Sequence, residues 1–129
     1  EQQMVYAPRH QRLVAAGPGP VSFEYDFAKN AWSKIDSPLP IDAHDAKTIF
    51  AYDDAADVCL LVNPIKNLFA EYDLKTRTWT DFTPQGAAIP SAQYGVGKGY
   101  YDPTHNVLVV HRSNVRQMWV YRHRPAGEK

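Results

Sequence analysis

A repeat with a period of just under fifty residues constrains this chain more than any other feature of its sequence. Tyr6, Tyr52 and Tyr101 lie 46 and 49 residues apart, and the eleven positions after each of them align without a gap. In the first two units a tryptophan, Trp32 or Trp79, follows at a matching distance. A second tyrosine column recurs later in the units, at Tyr25, Tyr72 and Tyr121. A period of this size is typical of units that are stacked or arranged radially.

Short apolar runs separated by turn residues predict up to four strands in each unit. In the second unit the run at 58–62 is apolar throughout, as expected for a strand covered on both faces. The predicted strands are 4–6, 12–16, 21–25 and 31–35, then 47–52, 58–62, 68–72 and 78–82, then 97–101, 106–111 and 117–121. Nowhere do apolar residues keep helical spacing for three turns, so the sequence predicts an all-β fold.

Composition excludes several classes of partner. Hydrophobic residues make up 44% and charged residues 22% of the 129 positions, as in a soluble globular protein. Fourteen basic and fourteen acidic residues cancel, so neither nucleic acid nor a membrane surface is an expected partner. No apolar run approaches the roughly 20 residues of a membrane span. The single cysteine, Cys59, lies inside the apolar run of the second unit and is predicted to be a buried structural thiol.

Three antiparallel units of this length resemble the blades of a β-propeller. The Tyr-Asp pair that ends the third strand, with a Trp seven residues after the Tyr, resembles the kelch and galactose-oxidase type of repeat. This resemblance implies that Trp32 and Trp79 each cover the neighbouring blade. The chain departs from the family where paired glycines are expected after the second strand, since Ala16-Gly17, Val62-Asn63 and His111-Arg112 occupy those positions.

The resemblance divides the chain into blades at 1–36, 42–82 and 91–124, the third without its last strand. Propellers close with about 4–8 blades, so three blades leave two apolar faces uncovered. Two interpretations follow. The chain is a piece of a longer propeller, or two copies associate into a six-bladed ring with twofold symmetry, which makes a homodimer the expected partner arrangement.

In a propeller, the loops joining strand four to strand one and strand two to strand three gather on one face. Polar residues in such loops are candidates for binding. The candidate ligand-binding residues are His44, Asp45, Asn63, Lys66, Gln93, Tyr94, His111, Arg112 and Arg116. His44 and His111 could serve as a general base or metal ligand, or could only hydrogen-bond a loop carbonyl or solvent. No metal or other cofactor is predicted, because the histidines show no close ligand spacing.

These observations lead to three hypotheses about function. The first is a binding or scaffold module that self-associates and binds a ligand or protein on its loop face. The second is part of a catalytic propeller resembling a polysaccharide lyase, in which Lys66, Arg112 and Arg116 hold the carboxylate of an acidic sugar while Tyr94 or His111 moves a proton. The third is an inactive fragment.

Overall fold

A computed structural model describes residues 2–43, 48–89, 97–112 and 118–123. None of these residues lies in a helix, and their regular structure consists of three antiparallel sheets. The predicted all-β fold of propeller-like units is therefore confirmed. The described residues contain no helix of the length and apolarity needed to cross a membrane.

Each sheet contains strands in their sequence order, and we call the sheets blades 1, 2 and 3. Blade 1 consists of β1 (Gln3–Ala7), β2 (Arg12–Ala16), β3 (Ser22–Asp26) and β4 (Ala31–Lys34). Blade 2 consists of β5 (Ile49–Asp53), β6 (Val58–Asn63), β7 (Leu68–Asp73) and β8 (Thr78–Phe82). In blade 3 the described strands are β9 (Gly97–Asp102), β10 (Val107–Arg112) and β11 (Met118–Tyr121).

The hairpins at one end of the blades repeat a single turn chemistry. An aspartate at the strand end accepts a hydrogen bond from a backbone N–H two or three residues later, at 2.8–3.0 Å. These aspartates are Asp26, Asp53, Asp73 and Asp102. Each of these four turns ends in a residue with positive φ, at Asn30, Asp57, Arg77 and Asn106, and so does the β1–β2 turn, at Gln11, where Ala7 takes the place of the aspartate. Asn and Asp tolerate this left-handed backbone well, so the local sequence itself specifies most of these turns.

The blades pack face to face, and the period of two along each strand decides which neighbour a side chain contacts. In β6, Cys59 and Leu61 pack towards blade 1, whereas Val58, Leu60 and Val62 pack towards blade 3. This arrangement explains the continuous apolar run, since both faces of β6 are covered. Cys59 is fully buried as predicted, and its burial raises the pKa of the thiol.

The first strands lie side by side at the inner edge of the molecule, with β5 between β1 and β9. Gly99 in β9 lies close both to β10 of its own blade and to Ile49 of β5. A Cβ atom at Gly99 would lie 2.4 Å from the carbonyl oxygen of Val109 and 3.0 Å from Cδ1 of Ile49. Only glycine fits there without moving the backbone of β10, the strand paired with β9 in blade 3.

Candidate functional site

The sequence predicted nine ligand-binding residues at the loop end of the blades. Five of them, His44, Asp45, Gln93, Tyr94 and Arg116, lie outside the described residues. Arg112 is the last residue of β10. The structure therefore tests the placement of only a few of the predicted site residues.

Asn63 and Lys66 share the turn between β6 and β7. The Oδ1 atom of Asn63 accepts hydrogen bonds from the backbone N–H groups of Ile65 and Lys66, both at 3.1 Å. Asn63 is buried and shapes this turn, whereas Lys66 is exposed. A ligand approaching this turn would thus meet Lys66 before Asn63.

His111 lies within β10 and not in the loop that follows it. It pairs with Lys98 and Met118 and is exposed on the outer face of blade 3. In the repeat it takes the column of Ala16 and Val62, both of which face the next blade. His111 therefore lies on a blade face and not in a loop.

Three other histidines lie at the opposite end of the blades, and each one contacts a carboxylate. Nε2 of His10 lies 2.9 Å from Asp57, and Nε2 of His123 lies 2.8 Å from Glu71. Nδ1 of His105 lies 2.6 Å from Asp102 within one turn, and this hydrogen bond lowers the pKa of the Asp102 carboxyl. Among the described residues no three His, Cys, Asp or Glu side chains are grouped to hold a metal ion.

The outer face of blade 1 holds four of the eight large hydrophobic side chains that are exposed among the described residues, Met4, Tyr6, Phe27 and Trp32. Trp32 is 53% exposed, and its ring centroid lies 5.1 Å from that of Tyr25. Phe27 packs edge-on against both Tyr6 and Tyr25. The residues of this outer face are Met4, Tyr6, Leu13, Phe23, Tyr25, Phe27 and Trp32. An apolar surface of this kind typically marks an interaction site.

In blade 2 the residues at the same repeat positions are covered by the neighbouring blade. They all pack in the core shared with blade 1. They are Phe50, Tyr52, Cys59, Ala70, Tyr72, Leu74 and Trp79. Trp79 is only 6% exposed, and it hydrogen-bonds Ser22 through Nε1 at 2.8 Å. The expected cover by a tryptophan is therefore present for Trp79, whereas Trp32 has no described neighbour across its face.

The outer face of blade 3 is also apolar. Tyr100, Met118 and Val120 are each 57–60% exposed. Their columns in blade 2 hold Ala51, Phe69 and Glu71, which face blade 3. The two end blades thus expose opposite faces of the repeat. Blade 1 exposes the face that blade 2 packs against blade 1, and blade 3 exposes the face that blade 2 packs against blade 3.

A buried charge network joins blades 1 and 2. Glu24 is 1% exposed and accepts hydrogen bonds from Tyr72 at 2.7 Å, Arg77 at 2.7 Å and Arg12 at 3.1 Å. Burial raises the pKa of the Tyr72 hydroxyl, and the adjacent Glu24 charge raises it further. Both carboxylate oxygens of Glu24 accept hydrogen bonds, so this network ties the two blades together. This network was not predicted from the sequence, although a glutamate between Phe23 and Tyr25 in a predicted strand was a signal.

A second polar contact joins the same two blades at their turn end. Asp57 accepts a hydrogen bond from the Tyr52 hydroxyl at 2.6 Å and contacts Nε2 of His10 at 2.9 Å. Burial acts to raise the pKa of Asp57, but the hydrogen bonds from Tyr52 and His10 outweigh it and leave this pKa below its ordinary value. Burial and the bond to Asp57 raise the pKa of Tyr52 in turn.

Aromatic rings hold blades 2 and 3 together. Phe69 lies at the centre, with its ring centroid 5.7 Å from that of Trp119 and 5.8 Å from that of Phe82. Trp119 stacks on Tyr121 at 5.4 Å. The ring of His123 bridges the junction, since its Nδ1 contacts the Tyr121 hydroxyl at 2.7 Å while its Nε2 contacts Glu71.

Comparison with known proteins does not identify a family for this chain. No protein-family model matches the chain, and no curated protein matches its sequence. The resemblance to kelch repeats stays a prediction from the tyrosine, aspartate and tryptophan columns.

Proposed function

We propose that this chain is a non-catalytic propeller module that assembles with a second copy through its outer blade faces and presents its loop end for binding. One observation carries the proposal. Most of the columns that pack against blade 1 in blade 2 are half-buried or exposed in blade 1 itself, as Trp79 and Trp32 show most clearly.

The outer faces have the chemistry of an internal blade junction. The blade 1 face carries Trp32, Tyr25 and Met4, and the blade 3 face carries Met118 and Val120. Apolar patches larger than a few hundred Å² are rare on monomers and mark association surfaces. The formal net charge is zero, so charge repulsion between copies does not oppose their contact.

Pairing blade 1 of each copy with blade 3 of the other would generate two identical interfaces. The resulting ring would have six blades, which lies within the range of about 4–8 found in propellers. Its twofold axis is the symmetry most common among homo-oligomers. The loop ends of both copies would then lie on the same side of the ring, where Lys66 is exposed.

Sedimentation equilibrium tests the assembly. The wild-type chain should sediment at twice its 14.6 kDa mass, and Trp32→Arg should weaken self-association by more than about tenfold, because a buried tryptophan is a typical interface hot spot. Leu68→Glu is the matched control, since Leu68 is 41% exposed but lies on neither outer face. Wild-type protein that remains at 14.6 kDa across the micromolar range would refute the assembly.

Binding at the loop end has its own test. A glycan and peptide screen should identify a ligand whose binding is abolished by Tyr94→Ala and by Arg112→Ala. His105→Ala, at the opposite end of the blades, should leave that binding unchanged. Binding that survives both loop-end substitutions would show that the ligand is held elsewhere.

A further inference from the structure

Strand β11 is an edge strand of blade 3 in the described part of the chain. It pairs with β10 through Met118, Trp119, Val120 and Tyr121, and among the described residues no strand pairs with its other side. The strands in the same position of blades 1 and 2, β3 and β7, are each paired on both sides. An exposed strand edge is a template for a further strand.

A cleft of about 560 Å³ runs along this edge. One wall is β11 with Arg122 and His123, and the other is the connection 83–87 that follows β8. Nε1 of Trp119 donates a hydrogen bond to the carbonyl oxygen of Ala87 at 2.8 Å, which fixes the connection beside the strand. The cleft therefore has both a backbone edge and a defined opposite wall.

Blade 2 shows which chemistry fills the matching position. There β8 lies antiparallel to β7, with Trp79 directly opposite Tyr72. The backbone N–H of Trp79 donates to Oγ of Ser37 at 2.9 Å, in the connection that follows β4. Blade 1 has the same register, with Trp32 opposite Tyr25. Both complete blades thus place a tryptophan across from the third-strand tyrosine.

The repeat alignment predicts the same arrangement of tyrosine and tryptophan at the edge of blade 3. Tyr121 corresponds to Tyr72, and Pro84 in the connection corresponds to Ser37. Both residues line the cleft. A tryptophan opposite Tyr121 would accordingly lie over Pro84, beside the aromatic group of the second junction.

We propose that the β11 edge binds an extended strand of a partner polypeptide, antiparallel to β11, with an aromatic residue opposite Tyr121. Backbone hydrogen bonds to β11 supply the affinity, and the cleft beside connection 83–87 selects the aromatic residue, as in other cases of strand addition. This site is separate from the loop end and from the outer face of blade 1, and it adjoins the outer face of blade 3, where the side chains of Met118 and Val120 lie.

The chain itself supplies the first probe. A fluorescent peptide with the sequence of residues 76–83, Thr-Arg-Thr-Trp-Thr-Asp-Phe-Thr, should bind the full chain and raise its own fluorescence anisotropy. The same peptide with Trp79→Ala should bind at least about tenfold more weakly, since truncating a hot-spot tryptophan typically costs more than the 1.4 kcal/mol that this factor represents. Equal binding of the two peptides would overturn the proposal.

A cross-linking experiment tests the register. In blade 2 Glu71 pairs with Thr80, so Val120, which takes the Glu71 column, should lie opposite Thr80 of the peptide. Directly opposed Cβ atoms lie about 4.5–5.5 Å apart, close enough for a disulfide after a small shift. The Val120→Cys protein should therefore form a disulfide with the Thr80→Cys peptide but not with the Asp81→Cys peptide, whose side chain points to the other face.

Two controls make the outcome specific. Val120 is 57% exposed, so Val120→Cys should keep the wild-type circular dichroism spectrum, and the native Cys59 is buried and should not react. Trp32→Arg should bind the peptide as tightly as the wild-type chain does. Cross-linking at equal rates by both cysteine peptides, or dissociation of dimers by the peptide, would overturn the proposal, the latter by identifying a second copy as the occupant.

Discussion

The junction between blades 1 and 2 and the junction between blades 2 and 3 have the same geometry but are held by different chemistry. At the first, Glu24 is buried between two arginines and Tyr72. At the second, Phe69 is the centre of an aromatic group. In the repeat alignment Phe69 of blade 2 corresponds to Ser22 of blade 1. At this position blade 2 therefore makes ring contacts, whereas blade 1 accepts a hydrogen bond from Trp79.

The glutamate column shows how the two chemistries are related. The Tyr72 hydroxyl donates directly to Glu24 across the first junction. At the second junction the matching pair is Tyr121 and Glu71, and the ring of His123 is inserted between them. The repeat thus keeps the positions of the contacting residues at both junctions, while the polar contacts between those residues differ from one junction to the next.

The largest expected effect separates the aromatic junction from the polar one. Phe69→Ala should lower the free energy of unfolding by about 3–5 kcal/mol, because Phe69 is 3% exposed and the lost ring leaves a cavity. Ser22→Ala, in the same column, should cost only about 1–2 kcal/mol through the lost hydrogen bond to Trp79. Urea unfolding of the two variants gives both values, and equal costs would show that the junctions do not differ as described.

A smaller effect is expected when the two glutamates are compared. Glu24→Ala should cost about 3 kcal/mol, because it leaves two arginines and a tyrosine hydroxyl without their shared acceptor. Glu71→Ala should cost about 1 kcal/mol, since Glu71 is 20% exposed and its carboxylate is therefore less fully desolvated than that of Glu24. A cost for Glu71→Ala that matches the cost for Glu24→Ala, measured by urea unfolding, would remove the distinction between the junctions.

The smallest effect concerns the acid stability of the first junction. In the folded chain the pKa of Asp57 lies below its ordinary value of about 4. Its contribution to stability is therefore present above pH ~4 and is lost as pH falls through the folded-state pKa. Asp57→Asn should lower the free energy of unfolding by about 1 kcal/mol at neutral pH and should flatten the loss of stability in acid.

Thermal or urea unfolding between neutral pH and pH 3 checks this slope. Asp54→Asn is the control, because Asp54 is half-exposed and lies 3.6 Å from Arg9 in a surface ion pair worth at most about 0.5 kcal/mol. An unchanged acid limb in Asp57→Asn would show that the contact with His10 and Tyr52 does not stabilise the junction.

The fold could be predicted from the sequence because the period, the turn residues and the strand alternation all indicate the same architecture. The run at 58–62 indicated a strand covered on both faces, and β6 is such a strand. The strand bounds were less well predicted, as β5 begins at Ile49 and not at position 47. Local propensity does not specify where pairing with a neighbouring strand ends.

The site was harder to predict, because contacts between blades join residues that are far apart in sequence. Glu24 and Tyr72 are separated by 48 positions, and His10 and Asp57 by 47. Neither pair forms a local motif, and only the column alignment relates them. The predicted loop residues depended on the family resemblance, and the described part of the loop end gives Asn63 a role in its own turn.

The turns closed by Asp26, Asp53, Asp73 and Asp102 have a consequence for biogenesis. A hairpin with such a turn forms in about 1–10 μs, whereas a ribosome adds only about 5–20 residues per second. Each hairpin can therefore close long before the next unit has been synthesised. Nascent chains of increasing length should gain protection from proteolysis in steps of one sheet.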